Sequence, residues 1–142
     1  MGSNSGGSSI STSDLIAAKG TNLFTGVGTQ TVKFSVIYLE PDTSIWDHSG
    51  AWFAAYFYNE TTNTNKWVRM TKVSSGVYYC EKPSGYPSVI FVRMNKDATE
   101  TNWNSKWNQT INLTVQTDGK NCFTITSGSG DSYVGEWKSY SK

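Results

Sequence analysis

Every residue of Ala51–Tyr58, in the run AWFAAYFY, is either aromatic or alanine. Because side chains alternate across a strand, one face carries Trp52, Ala54, Tyr56 and Tyr58, and the other carries Ala51, Phe53, Ala55 and Phe57. The small–large set suits a packed interior, which leaves Tyr56 and Tyr58 pointing outward, about 6.5–7 Å apart along the strand. Two rings at that spacing can each stack on a sugar ring and keep their hydroxyls for hydrogen bonds. The competing interpretation is a central strand buried on both faces.

Three further tryptophans lie close to this strand in the sequence or in polar surroundings. Trp67 opens the next predicted strand and could lie beside the tyrosines as a third ring, or pack at the rim. Trp103 and Trp107 stand four residues apart in a polar stretch, where exposed indoles are costly without a use. The amides of neighbouring Asn and Gln residues can donate and accept at once, as sugar hydroxyls require. We therefore include Trp103 among the candidate ligand-binding residues.

Strand patterns dominate the elements that must position these residues, and little helical periodicity is present. The predicted strands are Thr31–Leu39, Ala51–Tyr58, Trp67–Val73, Val77–Glu81, Ser88–Met94, Thr110–Gln116, Asn121–Thr126 and Val134–Tyr140. Turn signals predict two hairpins, one across Ser74–Gly76 and one across Asp118-Gly119. About seven or eight short strands predict an all-β fold, a single-domain antiparallel β-sandwich.

The first residues differ in composition from the rest of the chain. Residues 1–13 are nearly all Gly, Ser, Asn and Thr, which cannot bury enough apolar surface to fold, so they are expected to be a flexible linker or tag. The predicted sandwich domain spans residues 14–142. No apolar run approaches the length of a membrane span, so no membrane partner is expected.

Composition restricts the class of ligand. The chain has 12 Lys and Arg against 11 Asp and Glu, and these scattered charges argue against nucleic acid, which needs a basic stripe. Charged residues make up 16% of the chain and aromatic residues 14%, including six Trp and eight Tyr. Uncharged polar side chains beside surplus Trp and Tyr favour a neutral polyhydroxyl ligand.

Nothing in the sequence suggests catalysis or a metal site. His48 is the single histidine, no nucleophile motif or phosphate-binding loop is present, and no two carboxylates are placed for glycoside hydrolysis. Cys80 and Cys122 lack zinc-ligand spacing. They suit either a disulfide or two buried thiols. Arg93, in an apolar strand, is expected to serve the structure rather than a ligand. We expect no enzyme activity, no cofactor and no metal.

The order of short motifs resembles the family 26 carbohydrate-binding modules of bacterial amylases. The resemblance rests on Tyr56-Phe57-Tyr58, Trp67, Met70-Thr71, Gly76-Val77-Tyr78, Val89-Ile90-Phe91 and Gln109-Thr110, and on the stretches Phe53–Tyr56, Phe91–Asn95 and Trp107–Thr110. It covers roughly Ser35 to Tyr140. Trp67-Val68-Arg69-Met70 is two residues shorter than the family's usual pattern there, and Asn95–Lys106, which carries Trp103, is an insertion.

This resemblance implies a β-sandwich that binds starch-like α-1,4-glucan and maltooligosaccharides without catalysis. The family's stacking residues fall on Tyr56, Tyr58 and Trp67, and its polar glutamine contact falls on Gln109. Trp52 extends the row of rings. The resemblance also implies an extracellular or cell-surface module, monomeric, attached to catalytic or scaffold domains of a larger secreted protein. The alternatives are a protein-interaction or cell-surface sandwich and, less favoured, a hydrolase fragment.

Overall fold

The structure is a computed structural model that describes residues 35–140. The predicted linker or tag over 1–13, the beginning of the predicted domain 14–142, and the first part of the predicted strand Thr31–Leu39 lie outside these residues. The strands in chain order are β1 Val36–Glu40, β2 Trp52–Asn59, β3 Thr64–Arg69, β4 Thr71–Ser74, β5 Val77–Glu81, β6 Ser88–Met94, β7 Lys106–Gln109, β8 Leu113–Thr114, β9 Cys122–Ser127 and β10 Val134–Lys138. A short π-helical turn, Asp42–Trp46, follows β1. No helix among residues 35–140 is long and apolar enough to cross a membrane.

The strands form two sheets of five strands each. Sheet A has the order β10-β9-β1-β5-β4, and sheet B has the order β3-β2-β6-β7, with β8 beside β7 along the same edge of β6. Neighbouring strands are antiparallel except β9 and β1, which are parallel. The predicted all-β sandwich is therefore confirmed.

The core lies between the sheets and is built from the inward residues of both. Its fully or nearly fully buried members are Ile37, Leu39, Trp46, Phe53, Ala55, Phe57, Met70, Cys80, Val89, Phe91, Phe123 and Ile125. Trp46, at the end of the π-helical turn, stacks on Phe53 with ring centroids 6.2 Å apart and planes within 7°. Trp46 therefore packs within the core.

The predicted strand Trp67–Val73 is interrupted in the structure. Met70 is buried, and its N–H donates to the carbonyl of Phe53 at 2.9 Å. The residues before it, in β3, belong to sheet B, whereas β4 after it belongs to sheet A. At this buried residue the chain passes from sheet B to sheet A. The alternation of side chains along a single segment does not reveal such a change of sheet.

One of the two predicted hairpins is confirmed and the other is wrong. β4 and β5 pair antiparallel around Gly76, whose φ of 74° favours a residue without a side chain. The second prediction fails because β8 pairs with β6 in sheet B, while β9 pairs with β1 and β10 in sheet A. The predicted strand Thr110–Gln116 reduces to Leu113–Thr114. Residues 106–109, which belong to the polar stretch that contains Trp107, form a strand that the sequence did not predict.

Both cysteines are free and buried. Cys80 lies on β5 and Cys122 on β9, with β1 between them, so they are separated by two strand spacings, about 10 Å. That separation exceeds the reach of a disulfide. Burial raises the pKa of each thiol to about 12. Of the two alternatives left by the sequence, the structure therefore shows two buried thiols.

Candidate ligand-binding site

Strand β2 separates its side chains as the alternation predicts. Phe53 and Phe57 are fully buried in the core, while Tyr56 and Tyr58 lie half-buried on the outer face of sheet B. The rings of the two tyrosines have centroids 5.7 Å apart and planes 28° from parallel. The alternative of a strand sealed on both faces does not hold at these two positions.

Trp67 joins these tyrosines because of the register between β2 and β3. Trp67 lies directly opposite Tyr56, and directly opposed residues of an antiparallel pair point to the same face. Their ring centroids are 5.0 Å apart, with the planes at 59°. Trp67 is half-buried. The register thus produces the third ring beside Tyr56 that the sequence offered as one of two interpretations.

Trp103 reaches the same surface from the loop between β6 and β7. Its ring centroid lies 4.8 Å from that of Tyr56 and 4.7 Å from that of Trp67, in edge-to-face contacts. Asparagine side chains shape the loop: Asn95 Oδ1 accepts the N–H of Asp97 at 2.8 Å, and Asn102 Oδ1 accepts the N–H of Ser105 at 2.8 Å. Trp103 keeps 37% of its surface exposed.

Tyr56, Tyr58, Trp67 and Trp103 therefore form one continuous aromatic surface, called the platform below. A second hydrophobic cluster underlies it, consisting of Ala54, Ile90, Val92 and Met94 on the outer face of sheet B. These residues are almost fully buried, and the rings of Tyr56, Tyr58 and Trp67 pack against them. The three rings at the centre are tilted by about 60° to one another, so their faces do not form one flat plane.

Trp52 shares the outer face but is engaged within the protein. Its Nε1–H donates to the carbonyl of Ala98 at 3.1 Å. The guanidinium carbon of Arg69 lies 3.9 Å from the ring centroid, over one face. Trp52 thus fastens the Trp103 loop to the sheet, while one ring face is occupied by a cation.

Gln109 also lies on the outer face, yet away from the rings. It pairs with Val92, which pairs with Ala54 of β2, so Gln109 stands two strands from β2, about 10 Å across the sheet. Its backbone is held by Gly130 and Tyr133, and its Nε2 donates to the carbonyl of Thr110 at 3.4 Å. The structure places Gln109 on the platform's face without bringing it into the ring cluster.

Trp107 packs elsewhere than Trp103 and is not part of the platform. The sequence did not reveal this separation. A bulge in β7 opposite Arg93 and Met94 accompanies the change in register. The guanidinium of Arg93 lies over the ring of Trp107 at 4.9 Å. Arg93 itself is buried and donates to the carbonyl of Trp46 at 2.7 Å and to Asn108 Oδ1 at 2.9 Å. Arg93 thus serves the structure, as expected, and Trp107 packs against it.

The electrostatics of the platform suit an uncharged ligand. Burial raises the pKa of Tyr58 above its ordinary value, so its hydroxyl stays protonated and can donate. The four platform side chains carry no charge. Within residues 35–140, no three His, Cys, Asp or Glu side chains come together in a group that could hold a metal ion. The site can therefore offer ring faces and hydroxyl or indole donors.

The chain shows no significant match to any family model, curated protein or solved structure. The geometry of the platform therefore carries the functional argument.

Proposed function

We propose that this protein is a non-catalytic module that binds starch-like α-1,4-glucan and maltooligosaccharides on the platform. The observation that carries the proposal is the cluster of four partly exposed rings around Tyr56. Aromatic rings with hydroxyl or N–H groups are suited to ligands that are apolar on one side and polar on the other. A sugar ring presents C–H groups on its faces and hydroxyls at its edge.

The tilt of the rings supports an α-glucan over a flat polysaccharide. Trp67 and Trp103 stand at 59° and 65° to Tyr56. Rings in different planes suit a curved chain, whose sugar faces also turn from one unit to the next, better than a flat ribbon. The motif resemblance to family 26 carbohydrate-binding modules supports the same ligand class. Four partly exposed rings desolvate little area on binding, so we expect modest affinity.

The setting of the module belongs to the same proposal. A binding domain without catalytic groups concentrates a partner on its ligand, so we propose that it acts beside catalytic or scaffold domains in a larger secreted or cell-surface protein. The near-neutral balance of 12 basic and 11 acidic residues suits a neutral polysaccharide in that setting. We propose that the module acts as a monomer.

The test is binding of maltoheptaose by calorimetry, with retardation in amylopectin gels as a second assay. We expect Tyr56→Ala and Trp67→Ala each to weaken binding at least about tenfold, because each removes a ring from the centre of the cluster. Tyr79→Ala is the matched control, since Tyr79 is a half-buried tyrosine on the outer face of sheet A. Circular dichroism and urea unfolding establish that each variant is folded.

Two results would contradict the proposal. One is wild-type protein that neither binds maltoheptaose nor is retarded by amylopectin. The other is undiminished affinity in both folded platform variants. Reducing-sugar release from starch would contradict the non-catalytic part alone.

Protein interaction is a second candidate function, favoured by a small apolar patch elsewhere. Ile111 and Val134 are 42% and 37% exposed. They lie next to each other because the N–H of Ile111 donates to the carbonyl of Tyr133 at 3.0 Å. Concentration-dependent association that Ile111→Ser abolishes, in protein that does not respond to maltoheptaose, would favour this candidate.

A further inference from the structure

A pocket of about 440 Å³ lies at the end of sheet B beyond Tyr58, outside the platform. One wall is the turn between β5 and β6, and the other is the segment that contains and follows β8. The lining residues that matter most are Lys82, Pro83, Tyr86, Pro87, Thr114 and Thr117. Its volume lies within the range of about 300–1,000 Å³ typical of small-molecule sites.

Hydrogen bonds hold the two walls in place. The N–H of Val115 donates to the carbonyl of Pro87 at 2.9 Å, which joins the walls directly. Asn59 Nδ2 donates to the carbonyl of Gly85 at 2.9 Å, so the turn is also tied to the end of β2. Asn59 follows Tyr58 immediately. The pocket is therefore preformed, and it is fixed relative to the strand that carries the two platform tyrosines.

The pocket adjoins the outer face of sheet B at Thr114, while its lining residues Tyr86 and Val115 pack against the core between the sheets. Tyr58 lies directly opposite Ser88 on β6, and Ser88 lies directly opposite Thr114 on β8. Opposed residues of antiparallel strands point to the same face, so these three form one row. Thr114 is both the end of that row and part of the pocket lining. The distance across the row is two strand spacings, about 10 Å.

The lining has the chemistry of a sugar site. Tyr86 and the two prolines supply apolar ring faces, while Ser84, Thr114 and Thr117 supply hydroxyls. Lys82 adds an ammonium group that can donate to a hydroxyl. Among the described residues that line the pocket there is no Asp, Glu, His or Cys.

We infer that this pocket is an extension subsite that takes the glucosyl units at one end of the α-glucan chain lying on the platform. The inference rests on the proposed function. A chain that stacks on Tyr58 and continues over Ser88 reaches the rim of the pocket at Thr114 and enters it around the edge of β8. Long maltooligosaccharides therefore reach both regions, whereas a short one occupies the platform alone.

The test uses Thr114→Arg, which places a bulky side chain at the mouth of the pocket from an exposed strand position. We expect the affinity for maltoheptaose to fall about tenfold and the affinity for maltotriose to stay unchanged. Thr71→Arg is the matched control, an exposed strand threonine on sheet A. A second measurement follows backbone amide shifts in the full-length wild-type protein on adding maltoheptaose, and we expect shifts in residues 82–87 and 113–117 as well as around Tyr58.

The outcomes separate the subsite from the proposed function. Unchanged maltoheptaose affinity in folded Thr114→Arg protein, or shifts confined to the platform, overturns the subsite and leaves platform binding standing. Equal losses for maltotriose and maltoheptaose also overturn it, since the effect would then not be one of chain length. Wild-type protein that binds neither sugar overturns the proposed function and the subsite with it.

Discussion

The outer faces of the two sheets both carry clustered aromatic rings, but the rings are held in different ways. On sheet A, Tyr38 lies opposite Tyr79 with ring centroids 6.4 Å apart, and Tyr140 covers Tyr38 at 4.5 Å. We call these three residues the tyrosine patch. Asn121 fixes Tyr140 on both sides: its Oδ1 accepts the Tyr140 N–H at 2.8 Å, and its Nδ2 donates to the Tyr140 carbonyl at 3.3 Å.

What lies beneath the rings also differs between the two faces. Under the platform are apolar side chains, Ala54, Val92 and Met94. In the tyrosine patch, Tyr38 lies directly opposite Cys122, which is fully buried. On its other side Cys122 pairs with Lys138, whose Nζ lies 2.7 Å from Glu40 Oε1. Aromatic residues on the outer face of a sheet can therefore either cover a buried group or present their rings for binding. The tyrosine patch lies against the buried thiol of Cys122, which can titrate, whereas the platform presents partly exposed rings on a layer of apolar side chains.

The largest expected effect that tests this comparison is the pH dependence contributed by Cys122. The thiol is protonated in both states below about pH 9, its ordinary pKa, whereas burial raises the pKa in the folded state to about 12. Between these values the unfolded chain loses the proton first, so the free energy of unfolding falls as pH rises, by about 1.4 kcal/mol per pH unit. Urea unfolding between pH 9 and pH 11 measures the slope.

Cys122→Ala provides the control for this prediction. We expect its unfolding free energy to fall less steeply with pH than that of the wild type, by the contribution of one thiol. Identical slopes in the two proteins would show that the patch does not seal Cys122 from water.

A smaller effect distinguishes the asparagines that hold the two ring clusters. Asn121→Ala removes both hydrogen bonds to Tyr140, and we expect a loss of about 1–2 kcal/mol in unfolding free energy with unchanged maltoheptaose affinity. Asn102→Ala removes the bond that shapes the Trp103 loop, and we expect it to weaken maltoheptaose binding while costing less stability. Urea unfolding and calorimetry on both variants make the comparison. Loss of maltoheptaose binding in Asn121→Ala, with unchanged binding in Asn102→Ala, would instead place the ligand on the outer face of sheet A.

The smallest expected effect concerns the edge of the platform at Trp52. Arg69→Met removes the guanidinium that lies over the Trp52 ring and should cost about 0.5–1 kcal/mol in unfolding free energy. Because that ring face is engaged within the protein, we expect maltoheptaose affinity to change little. A loss of affinity as large as that of Tyr56→Ala would instead make Trp52 and its cation part of the binding surface.

Much of the platform was predictable from the sequence, because alternation along a strand is local. The orientation of Tyr56 and Tyr58 follows from a period of two residues and needs no knowledge of neighbouring strands. The hairpin at Gly76 was predictable for a similar reason, since a turn residue lies between two short apolar runs. The separation of Trp103 from Trp107 was not, because it depends on a bulge and on the buried cation of Arg93.

The sequence by itself therefore determined the all-β character and the pair of outward tyrosines. Only the tertiary structure decided which rings meet them: the register of β2 and β3 sets Trp67 opposite Tyr56, and the folded loop returns Trp103 to both. It also decided that the chain changes sheets at Met70 and that β8 extends sheet B toward the pocket. The physical reason is that strand pairing and loop closure join residues far apart in the chain, and these contacts depend on the whole core rather than on any one segment.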